Sequence, residues 1–240
     1  MSENASVIEI EKISKSYGYM PVLKKISLTV QKSQFVALLG ANGSGKSTLL
    51  KMIAGLVKPT GGIIRVGGWE MPKEAEAVRA QIGMVSHKAL LYDNLTAREN
   101  LKFFGRLYGI NDQTRIEALL KQVGLEKRAN SLVQTFSRGM QQRLSIARAL
   151  LHNPHVLLFD EPYTGLDQDA SHVLDELLLQ AQQSGHTILM ATHQLERATR
   201  LADRIIIINR GAVAYDDTQK LSASEISVLY TQTTGASTAR

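Results

Sequence analysis

Gly40, Gly45, Lys46 and Ser47 stand in the stretch LLGANGSGKSTLL (38–50) at the spacing G-x-x-x-x-G-K-[ST]. An apolar run, FVALL, precedes the stretch, and a segment of helical spacing follows it. Glycines let a backbone curl until its N–H groups converge on phosphate oxygens, and a helix N-terminus adds partial positive charge. The chemistry implied is the holding of a nucleoside triphosphate. Lys46 brings a full charge to the β and γ phosphates, and the Ser47 hydroxyl suits Mg²⁺. Asn42, Gly43, Ser44 and Thr48 complete the candidate phosphate contacts.

A second group of acids lies in HVLLFDEPYTGLD (155–167). Asp160 follows an apolar run that reads as a buried strand, which would put its carboxylate beside the phosphate loop, holding Mg²⁺ directly or through water. Glu161 is a second acid placed to polarise an attacking water. That role belongs to hydrolysis, since a kinase brings its own hydroxyl nucleophile. A small-molecule kinase with the same loop is the competing reading. No N-K-x-D segment of the guanine-reading type is present.

Elements must position these groups. The runs FVALL, VLLF and RIIIIN read as buried strands and are far shorter than the ~20 residues that would cross a bilayer. Helical spacing occurs over 46–55, 96–109, 112–123, 137–151 and 169–183. Strands alternating with helices predict an α/β fold on a mainly parallel sheet. VIEIEKIS and VLKKISLTV, with no helix between them, predict an antiparallel β layer at the N-terminal end. Residues 88–151 predict an inserted helical subdomain, within a single domain over 1–228. Residues 229–240, small and polar towards their end, are expected to form a flexible tail.

The chain has 240 residues, 44% of them apolar, enough for a sizeable core. Its formal charge of +6 suits an anionic partner, and equally a solvated basic surface. The absence of cysteine excludes disulfides and thiolate chemistry. The opening residues, MSENASVIEIEK, lack the basic-then-apolar order of a signal peptide, so a cytosolic chain is expected.

The segment TFSRGMQQRLSIARALL (135–151) reads as an amphipathic helix capped by Ser137. Taken with the two preceding motifs, it resembles the signature of the ATP-binding cassette family, and that family's motifs follow in order from about Val7 to Asp216. The resemblance implies a P-loop nucleoside triphosphatase fold, ATP with Mg²⁺ as ligands, and an ATPase that drives transport. It also implies an ATP-dependent head-to-tail dimer, in which Ser137 and Gly139 meet the partner's γ-phosphate, so that the helix cap is incomplete within one chain. Tyr17 would stack on adenine, His193 would reach the γ-phosphate, and Asp167 would lie on the loop along the dimer interface. Two positions depart from the signature, Arg138 and Met140, which replace a Gly and a Gln.

Where the family carries a glutamine between Mg²⁺, water and the transmembrane partner, this chain has His87. It either ligates or hydrogen-bonds there in its neutral form, or packs beneath the loop. The text SHKALLYDNLTARENLKFFGRLYG (86–109) resembles the ATP-binding subunits of haem exporters of the cytochrome c maturation type. Cassettes of multidrug and polysaccharide exporters share similar text and form the alternative. Thr96 and Glu99 make a T-x-x-E capping box for a helix bearing Leu101, Phe104 and Leu107 or Tyr108. The region from His87 to Tyr108 is where the family receives a membrane permease. The resemblance thus places the chain at the cytoplasmic face of the cell membrane, with nucleic acid not expected as a partner. A soluble cassette working on ribosomes or DNA is the reading from another class. The short stretch between Lys46 and Ser137 leaves no room for the long coiled coils of the chromosomal type.

Overall fold

The computed structural model describes residues 6–86 and 88–235. Two long strands, β1 (Ser6–Tyr17) and β2 (Met20–Gln31), pair antiparallel, and β4 (Gly61–Val66) and β5 (Trp69–Met71) extend them into a four-stranded sheet of order β2-β1-β4-β5. A second sheet has the order β10-β9-β3-β8-β7-β6. Its strands are β3 (Phe35–Leu39), β6 (Ile82–Val85), β7 (Val156–Asp160), β8 (Thr187–Ala191), β9 (Arg204–Asn209) and β10 (Ala212–Asp217). All neighbours pair in parallel except β9 with β10.

Continuous apolar runs form these parallel strands because both faces of the sheet are covered. Phe35, Ala37 and Leu39 face one core, shared with Phe159, Met190 and Ile207. Val36 and Leu38 face the other, shared with Leu158, Leu189 and Ile206. The second core lies under the antiparallel sheet and α1 (Lys46–Ile53), which contributes Leu49, Leu50, Met52 and Ile53.

The first core is covered by helices. Between the neighbouring strands β6 and β7 the chain inserts α3 (Ala97–Leu107), α4 (Gln113–Gln122) and α5 (Arg138–Leu150), with two short 3-10 turns between the last two. The capping box forms as expected, Thr96 Oγ1 accepting from Glu99 N–H and the Glu99 carboxylate from Thr96 N–H. Later connections supply α6 (Gln168–Gln183) and α7 (Leu195–Leu201), while α2 (Ala75–Ala80) precedes β6. No helix among the described residues is long and apolar enough to cross a membrane.

The expected tail needs correction. Residues 223–234 form α8 (Ala223–Thr234), so the helix runs across the expected boundary at 228 and through the first part of the expected tail, of which residues 236–240 lie outside the described residues. Ser222 and Glu225 make a second capping box, Ile226 and Tyr230 are buried, and Asn209 donates to Thr233 O at 2.8 Å. The threonines that make the segment look polar fold their hydroxyls back onto carbonyls four residues earlier: Thr231 on Ser227, Thr233 on Leu229 and Thr234 on Tyr230. Substitution Tyr230→Ala should destabilise the protein by about 3 kcal/mol, as a large side chain removed from a core does. Urea unfolding measures it, and an unchanged midpoint would show that α8 contributes nothing to the fold.

Candidate functional site

Parallel pairing brings three strand ends to one edge. Leu38 pairs with Ala191, and Ala191 with Asp160, so the segments after β3, β7 and β8 emerge side by side. Open α/β sheets place ligands at this carboxyl edge. After β3 the backbone turns sharply at Gly40 (φ 154°), where a Cβ would lie 2.3 Å from Ile208 O and 2.5 Å from Ser44 Oγ. At Gly45 (φ 111°), which opens α1, a Cβ would lie 2.4 Å from Leu23 Cδ2 on β2. Only glycine fits either position.

The turn encloses a cavity of about 280 Å³ lined by Val22, Asn42 to Thr48 and Glu161. Lys46 is buried, and its Nζ donates to Gly40 O at 2.7 Å and Ala41 O at 3.1 Å. Burial pushes its pKa below the usual lysine range, while the carboxylates of Glu161 and Asp160 pull it back up. The Ser44 hydroxyl is buried with no hydrogen-bond partner. A buried ammonium resting on carbonyls and an unpartnered buried hydroxyl are groups that a phosphate would satisfy.

Ser47 Oγ donates to Asp160 Oδ1 at 2.6 Å, joining the loop to the end of β7. Both are hard oxygen donors of the kind Mg²⁺ takes. Among the described residues no group of three His, Cys, Asp or Glu could hold a metal by itself, so an ion here needs phosphate and water oxygens to complete its shell. Glu161 adopts a left-handed φ of 51°, unusual for a residue with a side chain and costly unless its surroundings enforce it. Its N–H is held by Ala191 O at 3.0 Å. Its carboxylate meets His193 Nδ1 at 2.8 Å, in the tautomer where that nitrogen carries the proton. The arrangement can bind a polyphosphate and present a carboxylate and an imidazole together beside it.

The remaining candidates stand apart from this cavity. Tyr17 ends β1, half exposed, with Lys15 Nζ 4.8 Å from its ring centroid; β2, entered by the turn after it, carries Val22 and Leu23 to the loop. Ser137 is exposed at the N-terminus of α5, and its Oγ accepts from Met140 N–H at 3.3 Å. The cap expected to be incomplete is therefore made within the chain, leaving the hydroxyl hydrogen to donate outward. Asp167, also exposed, accepts from Ala170 N–H at 2.7 Å and caps α6. A Cβ at Gly139 would lie 2.8 Å from Ala170 Cβ, so the starts of α5 and α6 are packed into one surface. His87 lies outside the described residues.

Sequence reasoning missed a polar cluster of Tyr163, Asp175, Arg197 and Arg200. In the region expected to receive a membrane partner lies a second cavity, about 390 Å³, lined by Leu56, Met84, Leu90, Phe104 and Tyr108 with basic Lys51, Arg79, Lys88 and Arg148. Arg148, desolvated by burial, donates to the carbonyls of Met84, Ala89 and Leu90. The run of exposed apolar residues around Tyr108 was the available signal for this groove.

Residues 23–164 match the family model of the ABC transporter. The chain is 43% identical over 197 residues to the ABC transporter ATP-binding protein NatA of Bacillus subtilis, covering 80% of each. It is 40% identical over 225 residues to the Nod factor export ATP-binding protein I of Paraburkholderia xenovorans, covering 92% of this chain and 74% of that one. A dimeric ATP-binding cassette solved in a post-hydrolysis state with ADP and Pi superimposes with a TM-score of 0.79 at 30% identity, over 88% of this chain and 98% of that chain. Lys46→Ala should weaken binding of ATP by about 2–5 kcal/mol, roughly 30-fold or more, as loss of a buried charge partner does. Isothermal titration gives the affinity, and an unaltered value would remove Lys46 from the phosphate site.

Proposed function

The chain belongs to the ABC transporter family and is an ATP-hydrolysing ATP-binding subunit, and on that premise we propose that it powers an exporter through a separate membrane permease. The observation that carries the site assignment is Glu161, lining the Lys46 cavity and hydrogen-bonded to His193. In this reading the loop amides and Lys46 bind the β and γ phosphates, and Glu161 accepts a proton from the attacking water. His193 orients Glu161 through Nδ1–H; a donation from its Nε2 to the γ-phosphate would need both ring nitrogens to carry protons. Ser47 and Asp160 would hold Mg²⁺, whose charge would offset that of the phosphates.

The cavity is lined by this chain's loop with Val22 and Glu161, while Ser137 and Asp167 are exposed at the starts of α5 and α6, which pack together at Gly139. Two copies packed head to tail would bring that surface over the partner's loop, and Tyr17 would serve the adenine. Helix N-termini and a free hydroxyl hydrogen suit a γ-phosphate. The apolar groove beside Leu90 and Tyr108, with its basic residues, would receive a short permease segment and so hold the chain at the inner face of the membrane. His87, two residues after β6 in the sequence, would couple the two sites.

The finer expectation of haem export for cytochrome c maturation draws no support from the relatives compared. The Nod factor export protein favours the alternative, a cassette of the multidrug and polysaccharide export type. Substitution Glu161→Gln should cut turnover at least about 100-fold, the usual worth of a general base. With Mg-ATP it should accumulate as a dimer in size-exclusion chromatography; a variant that stays monomeric at saturating ATP contradicts the shared site. Tagged Glu161→Gln should also retain multi-span proteins from solubilised membranes, and Leu90→Asp in the groove should release them. Capture that ignores this charge would place the permease contact elsewhere.

A further inference from the structure

Behind the cavity, Asp175 of α6 is buried to 4% exposure and holds three other side chains. Tyr163 Oη donates to its Oδ1 at 2.7 Å. Arg197 Nη1 donates to Oδ2 at 2.6 Å, and Arg200 donates to the same oxygen. The Arg197 guanidinium also lies over the Tyr163 ring, 4.6 Å from its centroid. Burial first, and the hydrogen bond to Asp175 second, push the Tyr163 phenol far above its ordinary pKa, so it remains a donor.

The position of these partners matters more than their number. Tyr163 is two residues beyond Glu161, and its carbonyl also accepts from Leu166 N–H at 3.1 Å, closing the turn that leads to Asp167. Arg197 lies in the first turn of α7, four residues beyond His193. A single carboxylate thus ties the segment carrying Glu161 to the segment carrying His193. The histidine needs such an anchor: its side chain is 58% exposed, and Glu161 is its hydrogen-bond partner. Burying an ion pair contributes little net stability compared with an apolar cluster of the same volume, so stability alone does not account for a charged hub here.

We infer that Tyr163, Asp175 and Arg197 are positioning residues that hold Glu161 and His193 in register for hydrolysis. The inference rests on the hydrolytic roles proposed above for that pair. Asp175 also stands eight residues beyond Asp167, ~12 Å along one rigid helix, so a shift of the exposed start of α6 reaches both segments together.

The test uses the purified full chain and steady-state hydrolysis, with rates normalised to ATP-binding sites counted by titration. Tyr163→Phe deletes one hydroxyl and keeps the ring. It should lower kcat about tenfold, as sub-ångström to ångström misplacement does, with KM unchanged. In a His193→Ala background the same change should have less than about a twofold effect, the scatter of independent sites. Asp175→Asn repeats the measurement if Tyr163→Phe is poorly folded. A lowered melting temperature with normal kcat per site, or, where His193→Ala by itself slows hydrolysis, an equal tenfold loss in that background, would overturn the inference and leave the cluster a structural one. If His193→Ala alone hydrolyses at the unaltered rate, the role of His193 fails separately. Tyr163→Phe in the otherwise intact chain then decides for Glu161: a tenfold kcat loss supports positioning, and no loss rejects it.

Discussion

The pairing of β3 between β8 and β9 is the constraint on which the rest depends. Because both faces of β3 are apolar and buried, hydrophobicity alone leaves its register weakly specified: a slip by one residue would exchange one aliphatic set for another. Polar contacts at the two strand ends remove that freedom. At the start, the Asp203 carboxylate accepts from Phe35 N–H at 2.9 Å and from Gln182 Nε2 at 2.6 Å. At the end, Leu38 O accepts from Thr192 N–H at 3.1 Å. With β3 fixed, Gly40, Asp160, Glu161 and His193 come to one edge without long-range adjustment, and the Ser47–Asp160 hydrogen bond closes the arrangement.

The same frame explains why the site is open. The sheet edge supplies the phosphate loop, two acids and a histidine, while the start of α5 is directed elsewhere and packed through Gly139 against α6. Ser137 and Asp167 each accept from one first-turn N–H of their own helix, Met140 and Ala170, of the four that a helix N-terminus presents. A dimer formed through these surfaces then depends on what lies between the copies. An anion supplies the missing counter-charge for two helix N-termini and a buried lysine at once.

Legibility in the sequence followed locality. The phosphate loop, the Asp160–Glu161 pair and the helices of 97–150 could be read because each is defined within a dozen residues by spacing, capping or continuous burial. The meeting of His193 with Glu161 could not be read from spacing, since it needs β8 beside β7; the family resemblance supplied only a role for His193 at the γ-phosphate. Tyr163, Asp175 and Arg197 gave no local signal at all: each looks like an ordinary helix or turn residue until three elements converge. For α8 the fault was different. Thr231, Thr233 and Thr234 suggested a polar tail, but their hydroxyls bond to their own helix and the buried pair Ile226 and Tyr230 decides the structure.

The groove and the exposed face are joined by one element. The 13 residues of α5 span ~20 Å, with Ser137 at one end and Ser145 and Arg148 towards the other. Ser145 Oγ donates to Ala89 O at 2.8 Å, and Arg148 spans Met84, Ala89 and Leu90 while its guanidinium sits 5.1 Å from the Phe104 ring centroid. A desolvated guanidinium bonded to three carbonyls is costly to detach, because its lost hydrogen bonds would not be replaced by water. The segment 88–90 is therefore bound to α5 more firmly than its exposed side chains imply. Whatever presses on Leu90 in the groove acts on the helix whose far end presents Ser137, and a rod this short transmits the load without bending.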